Sequence, residues 1–437
     1  MEKRPDEFRG MAGDMGMGLG IPSARPAGFS LRNLKTFSSF KNPVYRLYYG
    51  GMMGEMAAMN MQIVVRSLLI YRLTNSPAIL GAMSLAFAVP MLSLSLFGGV
   101  IADRVQKKYV MLIGQAASAV LSLGIALALA LGYLSAEKSG SWWILVVSAV
   151  LQGIIMALVM PSRQAILPEI VGGEQLMNAI SLSSMGTSIL RLFAPALSGF
   201  LVDAIGFEAV YYTTTGLYLV AVGFIALLPL TSTTTIRGSS AWTGMKEGIN
   251  YLRRETTLLF VLGFTLVTTV LSMPYQQMMP IFTDDILKVG ASGLGVLMSV
   301  SGAGSMVGSF VLASLPNKKR GLMLLISSTF LGVALASFSF STSWPLSLGL
   351  VVFVGLGQMG QMTLGNTLLQ YYVADEYLGR VMSILMMQFG LMSLGTFVAG
   401  LLAEALGVQW AVGGFAMCLV FLSVLALVLL PRIRNLD

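Results

Sequence analysis

The stretch Gly99-Val100-Ile101-Ala102-Asp103-Arg104-Val105-Gln106-Lys107-Lys108 sets four charges within a few residues, between two long uncharged runs at 73–102 and 109–136. A lipid-spanning helix needs about 20 mostly apolar residues, each adding ~1.5 Å across a hydrocarbon core of ~30 Å. Both runs are long enough. The charged stretch therefore reads as a tight loop joining two membrane-crossing helices on one side of a bilayer.

Further uncharged runs of that length lie at 139–162, 209–236, 256–283, 289–317, 381–403 and 405–431. The run 321–374 is too long for one helix and divides at the turn cluster Ser341-Thr342-Ser343-Trp344-Pro345. Two more spans carry charge: 46–72 holds Glu55 and Arg66, and 175–205 holds Arg191. Lipid offers backbone amides no partner, so spans must close every bond internally as helices. The expected fold is an all-α membrane protein with twelve transmembrane helices in two six-helix bundles.

Composition agrees with the runs. Of 437 residues 56% are hydrophobic and 11% charged, against about 45–50% and about 25% in soluble domains. There is no histidine, and the only cysteine, Cys418, lies in an apolar run. That excludes disulfides and thiolate or imidazole metal sites, and no cofactor is expected. Without a metal-ligand cluster, paired catalytic carboxylates inside a span or a P-loop, neither an enzyme nor an ATP-driven pump is expected. The first forty residues are polar and lack the apolar region of a signal peptide.

The net charge of +8 is a matter of topology. With both termini on one side, 22 of the 27 lysines and arginines fall on that side. Only Arg72, Lys138 and Lys288 fall opposite, and Arg66 and Arg191 lie within spans. The positive-inside rule puts both termini in the cytoplasm of a multi-pass cell-membrane protein, and no nucleic-acid partner is expected. The domains expected are a flexible tail 1–40, a bundle 41–230, a linker 231–256, and a second bundle with a short tail, 257–437. In the linker Trp242, Met245, Ile249 and Leu252 recur at helical spacing opposite Lys246, Arg253 and Arg254. This suggests an interfacial amphipathic helix, with a plain solvated connector as the alternative.

The halves repeat. Shifted by 201, Glu174, Gly199, Asp203, Ala204 and Gly206 fall on Asp375, Gly400, Glu404, Ala405 and Gly407, and Leu167 on Leu368. Gly98–Lys108 likewise matches Gly308–Lys319 with a small gap. Parallel six-helix repeats are a transporter arrangement, in which two bundles rock about a site between them.

Gly99, Asp103, Arg104, Lys107 and Lys108 follow the loop pattern G-x-x-x-D-R-x-G-x-K/R-K/R, which resembles the major facilitator superfamily. Gln106 stands where that pattern has glycine. The resemblance implies a conformational latch for the outward-facing state; the alternative is a basic cluster at anionic headgroups that only fixes topology. Ala194, Pro195, Ser198 and Gly199 resemble the helix-five motif g-x-x-x-G-P-x-x-G-G of exporters in that family. There the motif shapes the contact of helices five and eight. Tyr71–Pro77, Pro161–Pro168, Asn178-Ala179 and Pro280-Ile281-Phe282 resemble the branch of macrolide and enterobactin exporters. The helix-four arginine usual in such exporters would fall at Ala149, ahead of Gly153, and is missing. Gly355–Gly360 matches a dinucleotide-loop pattern, but inside an apolar span it is a chance match.

Ionisable residues within spans cost roughly 2.5–3.5 kcal/mol each and are functional candidates. Glu55, Arg66 and Arg191 are the coupling candidates. Glu55 and Arg66 share a helix face but lie ~16 Å apart in rise, too far to pair. Helices one and five are neighbours in the family fold, so a Glu55–Arg191 contact is expected. It would serve either as a proton switch or as a permanent ion pair. In the family, helices one, four, seven and ten line the cavity. Here they offer Met59, Asn60, Gln62, Gln152, Met156, Tyr275, Gln276, Gln358, Gln361, Met362 and Asn366, with Met278, Met279 and Met359 beside them. Thioethers repack around ligands of different shape. Asp203, Asp284, Asp285 and Glu404 end their spans and read as solvated termini.

The function expected is secondary active transport, namely proton-coupled efflux of amphipathic small molecules by alternating access. The partners are substrate, lipid and protons. Uptake or lipid flipping on the same fold is the alternative, and a non-transporting receptor or scaffold is a third reading.

Overall fold

The computed structural model describes residues 35–138, 140–230, 241–315, 318–434 and 436. The expected tail up to residue 34 and the linker segment 231–240 lie outside the described residues. The chain runs through α1 (Pro43–Thr74), α2 (Pro77–Arg104), α3 (Lys107–Ala130), α4 (Trp143–Gly173) and α5 (Gln175–Ile205), and α6 (Phe207–Ala226). After the linker helix α7 (Ala241–Arg254) follow α8 (Thr256–Ile286), α9 (Gly290–Ser314), α10 (Arg320–Ser339), α11 (Trp344–Tyr372), α12 (Glu376–Leu406) and α13 (Val408–Leu429). Among the described residues eleven helices, α2–α6 and α8–α13, are long and apolar enough to cross a membrane. α1 has 32 residues but carries Arg46, Glu55, Arg66 and Arg72.

Local chemistry sets the ends. Asn42 caps α1 by accepting from the amides of Val44 and Tyr45, with Pro43 pre-set in the first turn. Gly206 and Gly407, which correspond under the 201-residue shift, both have positive φ (104° and 86°). They turn the chain from α5 into α6 and from α12 into α13, where a side chain would be strained. Pro274 breaks α8 after Ser272, and the helix ends in a π turn at Phe282–Ile286.

α1–α6 and α8–α13 form two bundles. They meet mainly where α5 crosses α9 and where α2 crosses α12. Each crossing depends on a pair of glycines. A Cβ on Gly199 would lie 2.2 Å from the Ala291 carbonyl oxygen, and one on Gly295 2.4 Å from that of Pro195. At the other crossing, a Cβ on Gly400 would lie 2.5 Å from the Pro77 oxygen, and one on Gly81 2.9 Å from that of Thr396.

Two peripheral segments pack against the bundles. Lys35–Lys41 forms a 3-10 turn seated on the first bundle, where the Ser39 hydroxyl donates to Asn178 Oδ1 at 2.7 Å. The tail therefore does not extend loosely to residue 40. The amphipathic helix α7 forms, and its C-terminal half packs against α12, while Ile249 on its apolar side is exposed. Leu252 is buried, Gly248 abuts Arg380 and Ile384, and Tyr251 stacks on Tyr377 with centroids 4.4 Å apart. Glu247 pairs with Arg380 at 2.8 Å, so the linker helix is anchored to the second bundle.

Candidate functional site

Arg163, not Arg191, is the partner of Glu55. Arg163 Nη1 donates to Glu55 Oε1 at 3.0 Å, joining α1 to α4, and both side chains are largely buried. Arg163 directly follows the uncharged run 139–162, but α4 continues as helix to Gly173, so Arg163 stays on the helix facing Glu55. Arg191 is exposed on α5, and its backbone packs near Gly302 of α9. Arg66 is half-buried with its guanidinium 5.5 Å from the Phe87 ring centroid, and no carboxylate pairs with it among the described residues.

Glu55 also faces a small void shared with Met59, Gln152 and Met156 from the expected cavity set, together with Gln115 and Ser118 of α3. Gln152 Nε2 donates to Ser118 Oγ at 3.2 Å. The remaining polar residues of α1 turn elsewhere. Asn60 donates to the Met56 carbonyl of its own helix at 2.7 Å, and Gln62 Oε1 accepts from the Tyr218 hydroxyl of α6 at 3.1 Å.

The second bundle gathers neutral groups. The Tyr275 hydroxyl lies 3.1 Å from Ser301 Oγ and donates to Gln358 Oε1 at 3.4 Å. Gln276 Nε2 donates to the same oxygen at 3.4 Å. Gln361 is buried and bonds to Thr268 of α8. Met278 and Met279 are fully buried in the core, Met362 is exposed and Asn366 half-buried. Met359 lines a second cavity of about 260 Å³ with Ser309, Arg320, Thr363 and Thr367. The structure therefore groups Tyr275, Gln276 and Gln358 around the break at Pro274, and Glu55, Met59, Gln152 and Met156 in the other bundle.

The four span-ending carboxylates tie the bundles together at the end opposite the chain termini, and are not merely solvated. Arg72 makes a two-pronged contact with Asp284, at 2.8 and 3.1 Å. The Tyr71 hydroxyl donates to Asp285. Asp203 Oδ2 accepts from the Ser292 amide in the first turn of α9 at 2.7 Å. Glu404 Oε2 accepts from the Ala78 amide in the first turn of α2 at 3.0 Å, and from Ser76 Oγ at 2.6 Å. Asp203 and Glu404 correspond under the 201-residue shift, and each places negative charge on the positive end of a helix in the other bundle. The repeat was legible in the sequence; which side chains it would bring together was not.

The family model for the Major Facilitator Superfamily matches residues 49–395 and 294–436. The chain belongs to this superfamily. The Staphyloferrin A transporter of Staphylococcus aureus (strain NCTC 8325 / PS 47) is 26% identical, over 75% of this chain and 82% of that protein. Macrolide efflux protein A of Streptococcus pyogenes is 22% identical, over 86% of this chain and 93% of that protein. Among solved structures, a bacterial homologue of the human lysosomal transporter Spinster, in an inward-facing and unoccupied conformation, superposes with a TM-score of 0.68 at 13% identity. It covers 92% of this chain and 98% of its own. The protein is a multi-pass membrane transporter of this superfamily and not an enzyme.

Two major facilitator motifs can be placed in the fold. In the loop after α2, Lys107 is buried and pairs with Glu169 of α4 at 2.8 Å, while Lys108 donates to the Leu228 carbonyl beyond α6. Both lysines reach partners in their own bundle. Gln106 has φ −55°, so the position where the pattern has glycine needs none here. The side chains of Gly99–Arg104 lie outside the described residues. On α5 the exporter motif forms the α5–α9 contact through Gly199, and the Ala196 amide donates to Ser299 Oγ at 3.1 Å. Ser198, at a glycine position of the motif, is buried and donates to the Met61 carbonyl of α1 at 3.1 Å.

Proposed function

We propose that this protein exports amphipathic small molecules of drug, macrolide or siderophore type in exchange for protons. In this reading α1 joins the other eleven helices as a twelfth span, and both termini lie in the cytoplasm of the cell membrane. The observation that carries the coupling reading is the buried Glu55–Arg163 pair beside cavity-facing Met59, Gln152 and Met156. A carboxylate in such a place changes the charge of the bundle centre when it takes a proton, and protonation releases Arg163. Among the described residues no carboxylate pairs with Arg66 or Arg191, and their positive charge suits anionic or zwitterionic cargo as well as neutral cargo.

Alternating access then uses the two crossings as hinges. The contacts opposite the termini close the outer end and leave the cytoplasmic end to admit cargo; breaking them opens the other side. The efflux name of the Streptococcus pyogenes relative, Macrolide efflux protein A, supports the export direction.

The test is purified protein in liposomes with a pH-sensitive dye inside, screened against charged and neutral amphiphiles. Cargo-dependent proton movement that disappears in Glu55→Gln is the expected result. Unchanged coupling in that variant removes Glu55 from the mechanism. Labelling of single cysteines placed near residues 36 and 436 should report both from the cytoplasmic face, and opposite faces would refute the twelve-span reading.

A further inference from the structure

We propose that the void beside Glu55 is the proton-loading site and holds one water molecule, hydrogen-bonded to Glu55 Oε2 and Gln115 Oε1. This rests on the reading of Glu55 as the coupling carboxylate. Glu55 and Gln115 are only 4% and 2% exposed. Arg163 serves Glu55 Oε1, but Glu55 Oε2 and Gln115 Oε1 are both buried without a hydrogen-bond donor among the described residues. Both residues line the same void, whose volume of about 10 Å³ matches a single water. Buried acceptors without donors carry a desolvation penalty, so two on one small void call for an occupant that donates twice.

Water meets that requirement without adding charge. With Oε1 engaged, the proton adds at Oε2. A hydronium at the site gives up one proton, the Oε2–H bond forms, and a neutral water remains between Glu55 and Gln115. Gln152, itself on the wall, donates to Ser118 Oγ beside it at 3.2 Å. The site lies within one bundle, among α1, α3, α4 and α6, and is also lined by Met59, Gln152, Met156 and Tyr218; besides Arg163, the titratable groups near Glu55 are Tyr48 of α1 and Tyr218 of α6.

The test is the pH dependence of cargo-driven proton movement in liposomes holding the full chain. Gln115→Met keeps the side-chain length and removes the acceptor. Losing the water deprives ionised Glu55 of a charge-assisted bond and protonated Glu55 of a weaker neutral one. The midpoint should therefore rise by about half to one pH unit. Gln115→Asn keeps an amide oxygen and should bring the midpoint most of the way back to that of the unaltered protein. An unmoved midpoint in Gln115→Met, with coupling still lost in Glu55→Gln, overturns the water site and leaves the Glu55 reading standing. Coupling that survives Glu55→Gln instead overturns the reading beneath it. Infrared difference spectra of the unaltered protein across the same pH range decide the matter if Gln115→Met does not fold. A water O–H band that shifts in ¹⁸O-labelled water and vanishes in Glu55→Gln supports the site. The absence of such a band, or transport that requires sodium, refutes it.

Discussion

In the first bundle the interior contact between α1 and α4 is ionic, with Glu55 and Arg163 at 3.0 Å. In the second, the interior contacts among α8, α9 and α11 are neutral: Tyr275, Ser301, Gln276 and Gln358 share hydrogen bonds of 3.1–3.4 Å. Two halves of one repeat have thus been given different chemistry. A buried ion pair collapses when either charge is lost, whereas a neutral network tolerates the loss of one member. The first suits a switch and the second a surface that holds cargo in several poses.

The sharpest way to break that contrast is Arg163→Met. It leaves Glu55 as an uncompensated buried charge, costing about 3–5 kcal/mol. We expect a large drop in Tm for the detergent-solubilised protein and loss of proton coupling. Combining Glu55→Gln with Arg163→Gln should recover Tm but not coupling. An Arg163→Met variant that keeps both would show that the pair is incidental.

The crossings come next. Gly199→Val sets a Cβ where the Ala291 carbonyl oxygen lies 2.2 Å away. Overpacking of that kind costs about 1–3 kcal/mol, so transport should fall roughly tenfold or more. Spin labels at the end opposite the termini should move apart. The same result in Gly400→Val would show that both crossings bear on closure alike.

A smaller effect is expected for the carboxylates that cap the opposite bundle. Asp203→Asn or Glu404→Gln should each shift closure by about 1 kcal/mol, close to fivefold, and the two should add because the sites are separate. Spin-label distance distributions at the outer end measure this directly; a single variant that opens the whole end would contradict the symmetry. The smallest effect belongs to Gln358→Leu, where about 1 kcal/mol of neutral hydrogen bonding is lost. Cargo KM should change a few-fold while the pH midpoint stays in place, as initial rates across pH would show.

Much of this architecture could be read from hydropathy, since length and missing charge alone decide where a chain crosses lipid. Even the division of 321–374 at Ser341–Pro345 appears in the fold, as the gap between α10 and α11. The 201-residue repeat held for Gly206 and Gly407, where backbone conformation demands glycine. Partners of charged groups were less legible. Arg163 lay one residue past an uncharged run, and a run boundary says nothing of where a helix stops. Asp203, Asp284 and Glu404 looked like solvated ends because span-by-span reading omits the facing bundle. Lys107 looked like a headgroup ligand for the same reason, yet Glu169 of α4 faces it.

The central claim is that the proton is carried in the charged bundle and not in the neutral one. It is tested most directly by counting protons exchanged when cargo is added to the detergent-solubilised, weakly buffered protein. The account predicts proton exchange in the unaltered protein and in Gln358→Leu at saturating cargo, and none in Glu55→Gln. Exchange that persists in Glu55→Gln, or disappears in Gln358→Leu alone, would contradict it.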